Sequence, residues 1–179
     1  MRSTRTALFG ALLALSATAC SSVRYNNDFD PSINFADFST YAWLEAEGQA
    51  EANRGVDEFT ERRIVAAVDN ELAAKGYKKA TSGQPDILIN FYVTTEKKMD
   101  VDTYYTGWGY YGWYGGTQTT VRQWTEGTLV IDFIDTAEKD LAWRGWAQGE
   151  LQHSLSPEER TRRINTVVAG ILKQYPPNS

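Results

Sequence analysis

The sequence contains only one cysteine, Cys20, and only one histidine, His153. A single thiol excludes any disulfide within the chain, and so few thiol and imidazole groups exclude a zinc site built from several such ligands. A catalytic triad that depends on histidine would have to include His153. The sequence also has no nucleophile elbow, phosphate loop or dinucleotide fingerprint, so we expect neither a cofactor nor a bound metal.

Basic residues are also in the minority. The chain has 18 lysine and arginine residues against 23 aspartate and glutamate residues, giving a formal net charge of −5. Nucleic acids and anionic lipid headgroups are bound through basic surfaces, so this balance argues against both as partners. With 179 residues, 42% of them hydrophobic, the composition is typical of one globular domain.

The first residues have the pattern of a secretory leader. Arg2 and Arg5 precede an apolar run over residues 7–15, and small residues follow up to Ala19. The run is too short to span a bilayer stably and is typical of a signal peptide, which is removed from the mature protein. We therefore predict a signal peptide over residues 1–19.

Cys20 follows this leader directly. The junction resembles the lipobox of bacterial lipoproteins, with Ala17 where that family usually has leucine. The resemblance implies that the Cys20 thiol carries a diacylglyceryl group, that the 19–20 bond is cleaved, and that the new N-terminus is acylated, as by palmitate. Because Ser21 replaces the aspartate of an inner-membrane retention signal, the implied location is the periplasmic side of the outer membrane of a Gram-negative host. The alternative is an ordinary signal peptide with a coincidental cysteine.

Hydrophobic periodicity organises the rest of the chain. Residues 20–34 show no apolar period and are predicted to be the lipidated N-terminus and a tether. One domain is expected over residues 35–177. It begins with an aromatic-rich strand over residues 35–44, which a polar loop follows over residues 45–55.

A helix and a strand are predicted next. Asp57 can cap an amphipathic helix that ends near Gly76, a residue suited to the position after a helix. Its apolar positions are Ile64, Ala67, Val68 and Leu72. Residues 86–94 then form the clearest strand, because apolar side chains alternate along it, with Ile87, Ile89, Phe91 and Val93 on one face.

The next segment predicts a β-hairpin. Residues 119–125 form a plausible strand, and two apolar runs, 128–135 and 140–147, are separated by a short polar loop. If paired residue numbers sum to about 276, Asp132 lies opposite Arg144. A cross-strand pair of opposite charge contributes about 0.2–1 kcal/mol, which favours this register.

The last helix has the most complete start signal. Ser156 is the predicted cap, Pro157 occupies the first helical position, and Glu159 returns a hydrogen bond to the cap. The predicted fold class is therefore α+β, a two-layer sandwich in which two amphipathic helices cover one face of a largely antiparallel sheet. The first strand and the strand after the first helix are separated widely enough to be parallel. The apolar stripe of the last helix consists of Ile164, Val167, Val168, Ile171, Leu172 and Tyr175.

Three groups of residues carry a family resemblance: the hairpin 126–135 with 141–145, the strands 37–43 and 85–89, and the helix end 172–177. Together they resemble the bacterial lipoproteins catalogued as domain of unknown function 4136. The resemblance covers nearly the whole chain after the leader. It implies an envelope lipoprotein, and it implies no catalytic residue.

An aromatic and glycine-rich segment spans residues 104–116, where seven rings and five glycines occur in thirteen residues. Neither strand nor helix periodicity explains this composition, and so many rings exceed what a small core can bury. They indicate a contact surface for sugars, peptides or a membrane interface. The alternative is a freely varying hairpin tip. The candidate binding residues are Tyr104, Tyr105, Trp108, Tyr110, Tyr111, Trp113 and Tyr114.

Candidates for catalysis are few. Asp100 and Asp102 share a face if their segment is extended, but the spacing of a calcium loop is missing, so solvated carboxylates are the better interpretation. Asp132 and Asp135 lie on opposite faces of one strand and form no acid–base pair. His153 is interpreted as a surface residue.

The sequence therefore predicts a non-enzymatic, lipid-anchored protein of the cell envelope. Its partners would be the membrane, through the N-terminal lipid, and an unknown envelope protein or glycan. One alternative is an accessory subunit of an envelope transport or assembly machine. Another is an envelope hydrolase that uses carboxylates such as Asp100, Asp102 or Glu126.

Overall fold

The computed structural model describes residues 23–44, 56–106 and 116–177. Within these ranges, no helix is long and apolar enough to cross a membrane. The elements, in chain order, are β1 (Arg24–Phe29), a 3-10 helix (Phe35–Asp37), β2 (Thr40–Trp43), α1 (Glu58–Ala74), β3 (Lys78–Lys79), β4 (Ile87–Thr106), β5 (Gly116–Asp135), β6 (Leu141–Glu150) and α2 (Pro157–Leu172).

The strands form one open, mixed sheet in the order β1-β6-β5-β4-β2-β3. Strands β4, β5, β6 and β1 pair antiparallel, whereas β2 pairs parallel with both β4 and β3. Helix α1 lies between β2 and β4 in the chain, and a helical crossover of this kind is what parallel neighbours require. The expected mixture of sheet and two helices is confirmed, as is the parallel pairing.

The predicted hairpin and its register are also confirmed. Strands β5 and β6 pair antiparallel with Asp132 opposite Arg144, and the register shifts only between Phe133 and Ile134. The runs 119–125 and 128–135, which the sequence presents as two strands, belong to the single strand β5. Gly127 does not interrupt it, because both neighbouring strands continue the pairing at that residue.

Both helices begin at the predicted residues and α1 ends where predicted, whereas α2 ends at Leu172, three residues before Tyr175, the last position of the predicted apolar stripe. The Asp57 side chain accepts a hydrogen bond from the Thr60 backbone at 3.1 Å, and Gly76 has a φ of +91°, a conformation that favours glycine. Before α2, Ser156 and Glu159 form both hydrogen bonds of a capping box, at 3.3 and 2.8 Å.

One cluster of buried side chains joins both helices to alternate positions of the central strands. Ile87, Ile89 and Phe91 of β4 are fully buried in it, as the alternating pattern predicts. Tyr175 lies at the centre of an aromatic group, with its ring 4.4 Å from that of Phe133 and 5.2 Å from that of Trp143 between centroids. The apolar stripe of α2 is therefore buried against the sheet.

The tether predicted over residues 21–34 is corrected by the structure, because this segment contains the edge strand β1. Tyr25 pairs with Ala147, and a Cβ added at Gly170 of α2 would overlap the Tyr25 ring, so the glycine makes room for it. Asn27 donates a 2.6 Å hydrogen bond to Gln174. The domain therefore begins before residue 35, because β1 pairs with β6 and its partly buried side chains contact α2 and the residues that follow it.

The first predicted strand, 35–44, is also shorter than expected. Its first residues form the 3-10 helix, with the Asn34 side chain accepting from the Ala36 backbone at 3.4 Å, and only Thr40–Trp43 is strand. The predicted loop over residues 45–55 lies outside the described residues. A local hydrogen bond at Asn34 thus replaces strand pairing in the first half of this segment.

Asp86, just before β4, links this strand to β2 through hydrogen bonds. Its Oδ2 accepts hydrogen bonds from the backbone and the hydroxyl of Ser39, at 2.9 and 3.1 Å, and from the backbone and hydroxyl of Thr40, both at 2.8 Å. These donors, led by the Ser39 backbone N–H, lower the pKa of the Asp86 carboxyl below its usual range, against the opposing effect of burial.

We expect Asp86→Asn to reduce the free energy of unfolding at pH 7 and to change it little in strong acid. A carboxyl whose pKa is lowered in the folded state stabilises the fold above its unfolded pKa of about 3.9, and this contribution disappears as the pH falls through the folded pKa. Urea unfolding of both proteins at pH 7 and below pH 3 measures the difference. A gap of equal size at both pH values would contradict this account.

Candidate functional site

The longest strands of the sheet form an arm that extends past the rest of the domain. Strands β4 and β5 pair without a break from Ile87 opposite Asp135 to Thr106 opposite Gly116, whereas β6 accompanies β5 only as far as Glu126. From that level outward the described residues of β4 and β5 form a two-stranded ribbon, which we call the arm (residues 96–106 and 116–126). At about 3.4 Å per residue, the arm is about 34 Å long.

The aromatic segment begins at the far end of this arm. Tyr104 and Tyr105 are the strand residues opposite Gln118 and Thr117, which places their backbone at the far end of β4. The other five candidate binding residues follow Thr106 and precede Gly116 in the chain, and they lie outside the described residues: Trp108, Tyr110, Tyr111, Trp113 and Tyr114.

The N-terminal part of the chain enters the domain at the same end. Arg24 pairs with Gln148, Gln148 with Thr128, and Thr128 with Thr94, so Arg24 lies level with the base of the arm. Strand β1 is antiparallel to β6, which is antiparallel to β5, so β1 starts at the end where β4 leaves for the tip. Cys20, four positions before Arg24, lies outside the described residues.

An apolar groove of about 420 Å³ opens at this end, between the first turns of both helices and the sheet. Its volume falls in the range of small-molecule sites, about 300–1,000 Å³. Polar groups lie at its rim, where Arg160 Nε donates to the Leu155 carbonyl at 3.1 Å and an Arg163 NH2 group donates to the Glu150 carbonyl at 2.7 Å. Its apolar lining includes Val23, Val93, Leu129, Leu151, Ile164 and Val167.

The opposite face of the sheet carries a buried ion pair. Arg144 binds both oxygens of Asp132, each at 2.6 Å, and the guanidinium carbon lies 5.6 Å from the centre of the Tyr92 ring. Hydrogen bonding to Asp132 raises the pKa of Arg144, and burial raises that of Tyr92. Asp132 is only 6% exposed, so this arrangement holds charges in place and offers no free carboxylate for chemistry.

The remaining sequence candidates are dispersed. Asp100 and Asp102 share a face of the arm, as their spacing predicts, but the described residues contain no group of three or more side chains that could hold a metal. Glu126 at the arm base is paired with Arg24 at 2.6 Å. His153 is exposed in the turn before α2, and no carboxylate of the described ranges is bonded to it. These groups do not converge on one point.

A family model described as a domain of unknown function, DUF4136, matches residues 25–177. The chain belongs to the DUF4136 family. The resemblance inferred from the hairpin, strand and helix motifs is therefore confirmed. The DUF4136 match begins within β1, which agrees with the finding that this strand is part of the domain. No curated protein matches the sequence.

The DUF4136 fold is similar to that of several solved structures. A PDZ domain protein from Parabacteroides distasonis has a TM-score of 0.56 and 17% identity, over 87% of this chain and 36% of that chain. Two PelC dodecamer structures from Paraburkholderia phytofirmans have TM-scores of 0.49 and 0.48, identities of 11% and 12%, and cover 84% of this chain and 94% of theirs. This DUF4136 chain therefore spans about a third of the PDZ domain protein. At such identities the likeness concerns the fold alone.

Two features of this DUF4136 domain are missing from the sequence prediction, the groove and the length of the arm. The groove lies where both helices start, level with the arm base. Its position depends on how segments distant in the sequence pack together, so the local sequence does not predict it. The arm had a detectable signal, since residues 95–103 and 117–126 contain no proline or other strand breaker and flank the aromatic segment symmetrically. The two features share one end of the domain with β1.

Proposed function

We propose that this protein is a lipid-anchored, non-enzymatic domain of the bacterial cell envelope that binds protein or glycan components through the tip of its arm. The domain is inferred to be a two-layer sandwich on the periplasmic side of the outer membrane. The observation that carries the proposal is the arm itself, because the pairing of β4 and β5 continues past the rest of the domain, and the sequence between the far ends of these strands is the aromatic segment. Tyrosine and tryptophan combine a large contact area with a polar group, which suits them to binding surfaces.

The anchor explains how weak contacts at the tip become effective. Acyl chains on Cys20 would hold the domain at the bilayer, since each buried CH₂ contributes about 0.8 kcal/mol and two or more chains anchor a protein stably. Confinement to the membrane surface raises the local concentration of the arm near other envelope components, so a modest affinity suffices.

Contacts of the carboxylates favour binding over hydrolysis. Glu126 is held by Arg24 at 2.6 Å and lies 4.0 Å from Lys98, so its oxygens are already paired with cations. Asp100 and Asp102 stand on the arm, opposite Arg122 and Thr120, rather than in the groove. A hydrolase would need an acid and a base about 5–9.5 Å apart around one substrate bond. The groove lining contains no such pair of free carboxylates among the described residues.

Replacing the seven rings of the tip by serine tests the proposal. We expect retention on isolated peptidoglycan or on co-purified envelope proteins to fall at least about tenfold, which corresponds to about 1.4 kcal/mol. Each aromatic contact contributes about 0.5–1.5 kcal/mol beyond its buried area, so the loss of several contacts exceeds this threshold.

The matched control is Phe59→Ser, which removes a ring that is 62% exposed but lies in α1 instead of the arm. It should leave retention unchanged. Crosslinking in intact cells, with identification of the captured protein, then separates an organiser with several partners from an accessory subunit with one obligate partner. Unchanged retention of the seven-ring variant on both materials would refute the binding role.

A further inference from the structure

The arm has two chemically different faces. Because side chains alternate along a strand and the β4–β5 register is unbroken, odd-numbered residues of both strands share the face that continues from the helix-covered core. This helix-side face carries Met99, Val101 and Val121, which are 64%, 50% and 52% exposed. Val101 and Val121 lie directly opposite each other. The only charged side chain on this face is Lys97, among the residues of the arm whose side chains are described (up to 103 in β4 and from 119 in β5).

The opposite face of the arm collects the other charges. Lys98 pairs with Glu96 at 2.7 Å, and Arg122 lies over the Trp124 ring, 5.4 Å from its centre. Asp100 and Asp102 are on this face as well. Every acid of the described arm is therefore turned away from Met99, Val101 and Val121.

Exposed apolar side chains are concentrated at this end of the domain. Seven large ones are exposed among the described residues. Four of them lie on the arm or line the hollow at its base: Met99, Val101, Val121 and Leu151. Leu151 and Met99 line one shallow hollow at the arm base, and Leu151 also lines the groove, beside Asp57 and Thr60 of the α1 start. The patch is therefore continuous from the groove to the middle of the arm.

We propose that the arm lies along the surface of the bilayer that holds the Cys20 lipid, with Met99, Val101 and Val121 in contact with lipid. The inference rests on the proposed lipid anchor. Arg24 is four positions after Cys20, and a fully extended chain spans at most about 3.6 Å per residue, so the anchor keeps Arg24, which is level with the base of the arm, within about 14 Å of the membrane.

An upright arm does not fit this limit. The described tip lies about 34 Å beyond the base on the side from which the chain leaves toward Cys20, so an arm pointing straight at the membrane would enter it by about 20 Å. Among the described residues the outer part of the arm has no strand on either side of β4 and β5, so it would carry unpaired backbone N–H and C=O groups into hydrocarbon, where they are strongly disfavoured. An arm laid flat on its helix-side face buries the apolar side chains and leaves the acids in water.

The occupant of this face is better matched by lipid than by a second copy of the chain. A bilayer interface accepts scattered, half-exposed apolar side chains without shape complementarity, and the long side chain of Lys97 can keep its ammonium group at the level of the headgroups. Pairing of two such faces would bring the two copies of Lys97 together around only three apolar residues each. Stable protein interfaces need a larger and better-packed apolar centre.

Single cysteines placed on the two faces of the full lipidated chain test the inference. Since Cys20 carries the lipid, an introduced cysteine supplies the only free thiol for a polarity-sensitive dye. The helix-side positions are Val101→Cys and Val121→Cys, and the matched controls are their neighbours Asp102→Cys and Thr120→Cys. Each labelled protein is reconstituted in vesicles of phosphatidylethanolamine and phosphatidylglycerol, with or without nitroxide-labelled lipid.

We expect a blue shift and a loss of emission by lipid nitroxides at positions 101 and 121, and neither at 102 and 120. If the chains still float with the vesicles, the anchor is intact. Equal quenching at all four positions, or none at any of them, would then overturn the inference about the arm alone. A disulfide between two Val101→Cys chains in place of lipid quenching would overturn it in favour of a dimer. Failure of the chains to float would refute the anchor and the inference together. Two positions on each face make the result independent of one variant that folds poorly.

Discussion

Cys20→Ser is expected to release the domain from the membrane fraction almost completely once the leader is removed. The proposed anchor consists of acyl chains on this residue, and stable anchoring requires two chains or one chain with a second signal. The described domain offers no spanning helix, and its formal net charge is negative, so no electrostatic attraction to anionic lipid replaces the lost chains. Fractionation of cells with detection of the protein in each fraction measures the effect.

Ser21→Ala is the matched control, because it changes the neighbouring residue and leaves the thiol in place. It should stay with the membrane. The arm contact proposed above is too small to hold the domain alone, so only weak, salt-insensitive association should remain in Cys20→Ser. Full retention of the cleaved serine form would refute the lipid anchor, as would mass spectrometry that shows an unmodified thiol on the native protein.

Arg144→Met is expected to lower the free energy of unfolding by about 3 kcal/mol. Removing one partner of a buried ion pair typically costs about 3–5 kcal/mol, because the remaining charge has lost its hydrogen bonds and cannot reach water. Asp132 is 6% exposed and accepts both of its short hydrogen bonds from Arg144. The lower end of the range applies because the Arg144 side chain is itself 39% exposed. Equilibrium denaturation in urea measures the difference.

Two further variants separate the pair from general damage to the sheet. Asp132→Val combined with Arg144→Met should recover most of the loss, since replacing both partners by apolar groups is often close to neutral. Arg122→Met removes a cation whose side chain is 68% exposed and whose partner Glu150 is 43% exposed, so it should change stability by about 0.5 kcal/mol. An equal effect of Arg122→Met and Arg144→Met would show that burial of Asp132 is not the cause.

The same pair shows why this part of the fold was predictable. The register of the β5–β6 hairpin follows from a short loop and from two apolar runs that each fix one buried face. Once that register is set, Asp132 must lie opposite Arg144, and the structure adds only the bidentate geometry. Helix caps are local in the same sense, because Ser156 and Glu159 contact each other across one turn.

Strand β1 shows the limit of this reasoning. Its sequence has a single large apolar side chain, Tyr25, at a partly buried position, and the next such position is held by Asn27. The Tyr25 ring occupies the space left by Gly170 of α2, and Asn27 donates to the side-chain oxygen of Gln174, just after this helix. The sequence of residues 24–29 gives no sign of these distant contacts. Its composition alone is therefore that of a tether.

Some features of the candidate site could likewise be predicted from the sequence, and others depend on the strand order. The aromatic segment, the lone cysteine and the low count of catalytic groups are properties of composition, and they can be read without coordinates. Whether the chain from Cys20 and the aromatic tip leave the domain in the same direction depends on strand order. That order sets β1 beside β6 and lets β4 and β5 run past every neighbour.

Contacts between residues close in the chain specify the two helices, their caps and the hairpin register, and a pattern along the whole length specifies the family. Tertiary packing was needed to show that the edge strand belongs to the domain, that the arm has an apolar and a charged face with no neighbouring strand among the described residues, and that an apolar groove adjoins its base. The place of β1 depends on pairing between segments more than a hundred residues apart, such as Arg24 with Gln148. Such distant pairing is favourable only where the packing of the other elements leaves a strand edge open, and the local sequence of a segment does not show where that edge lies.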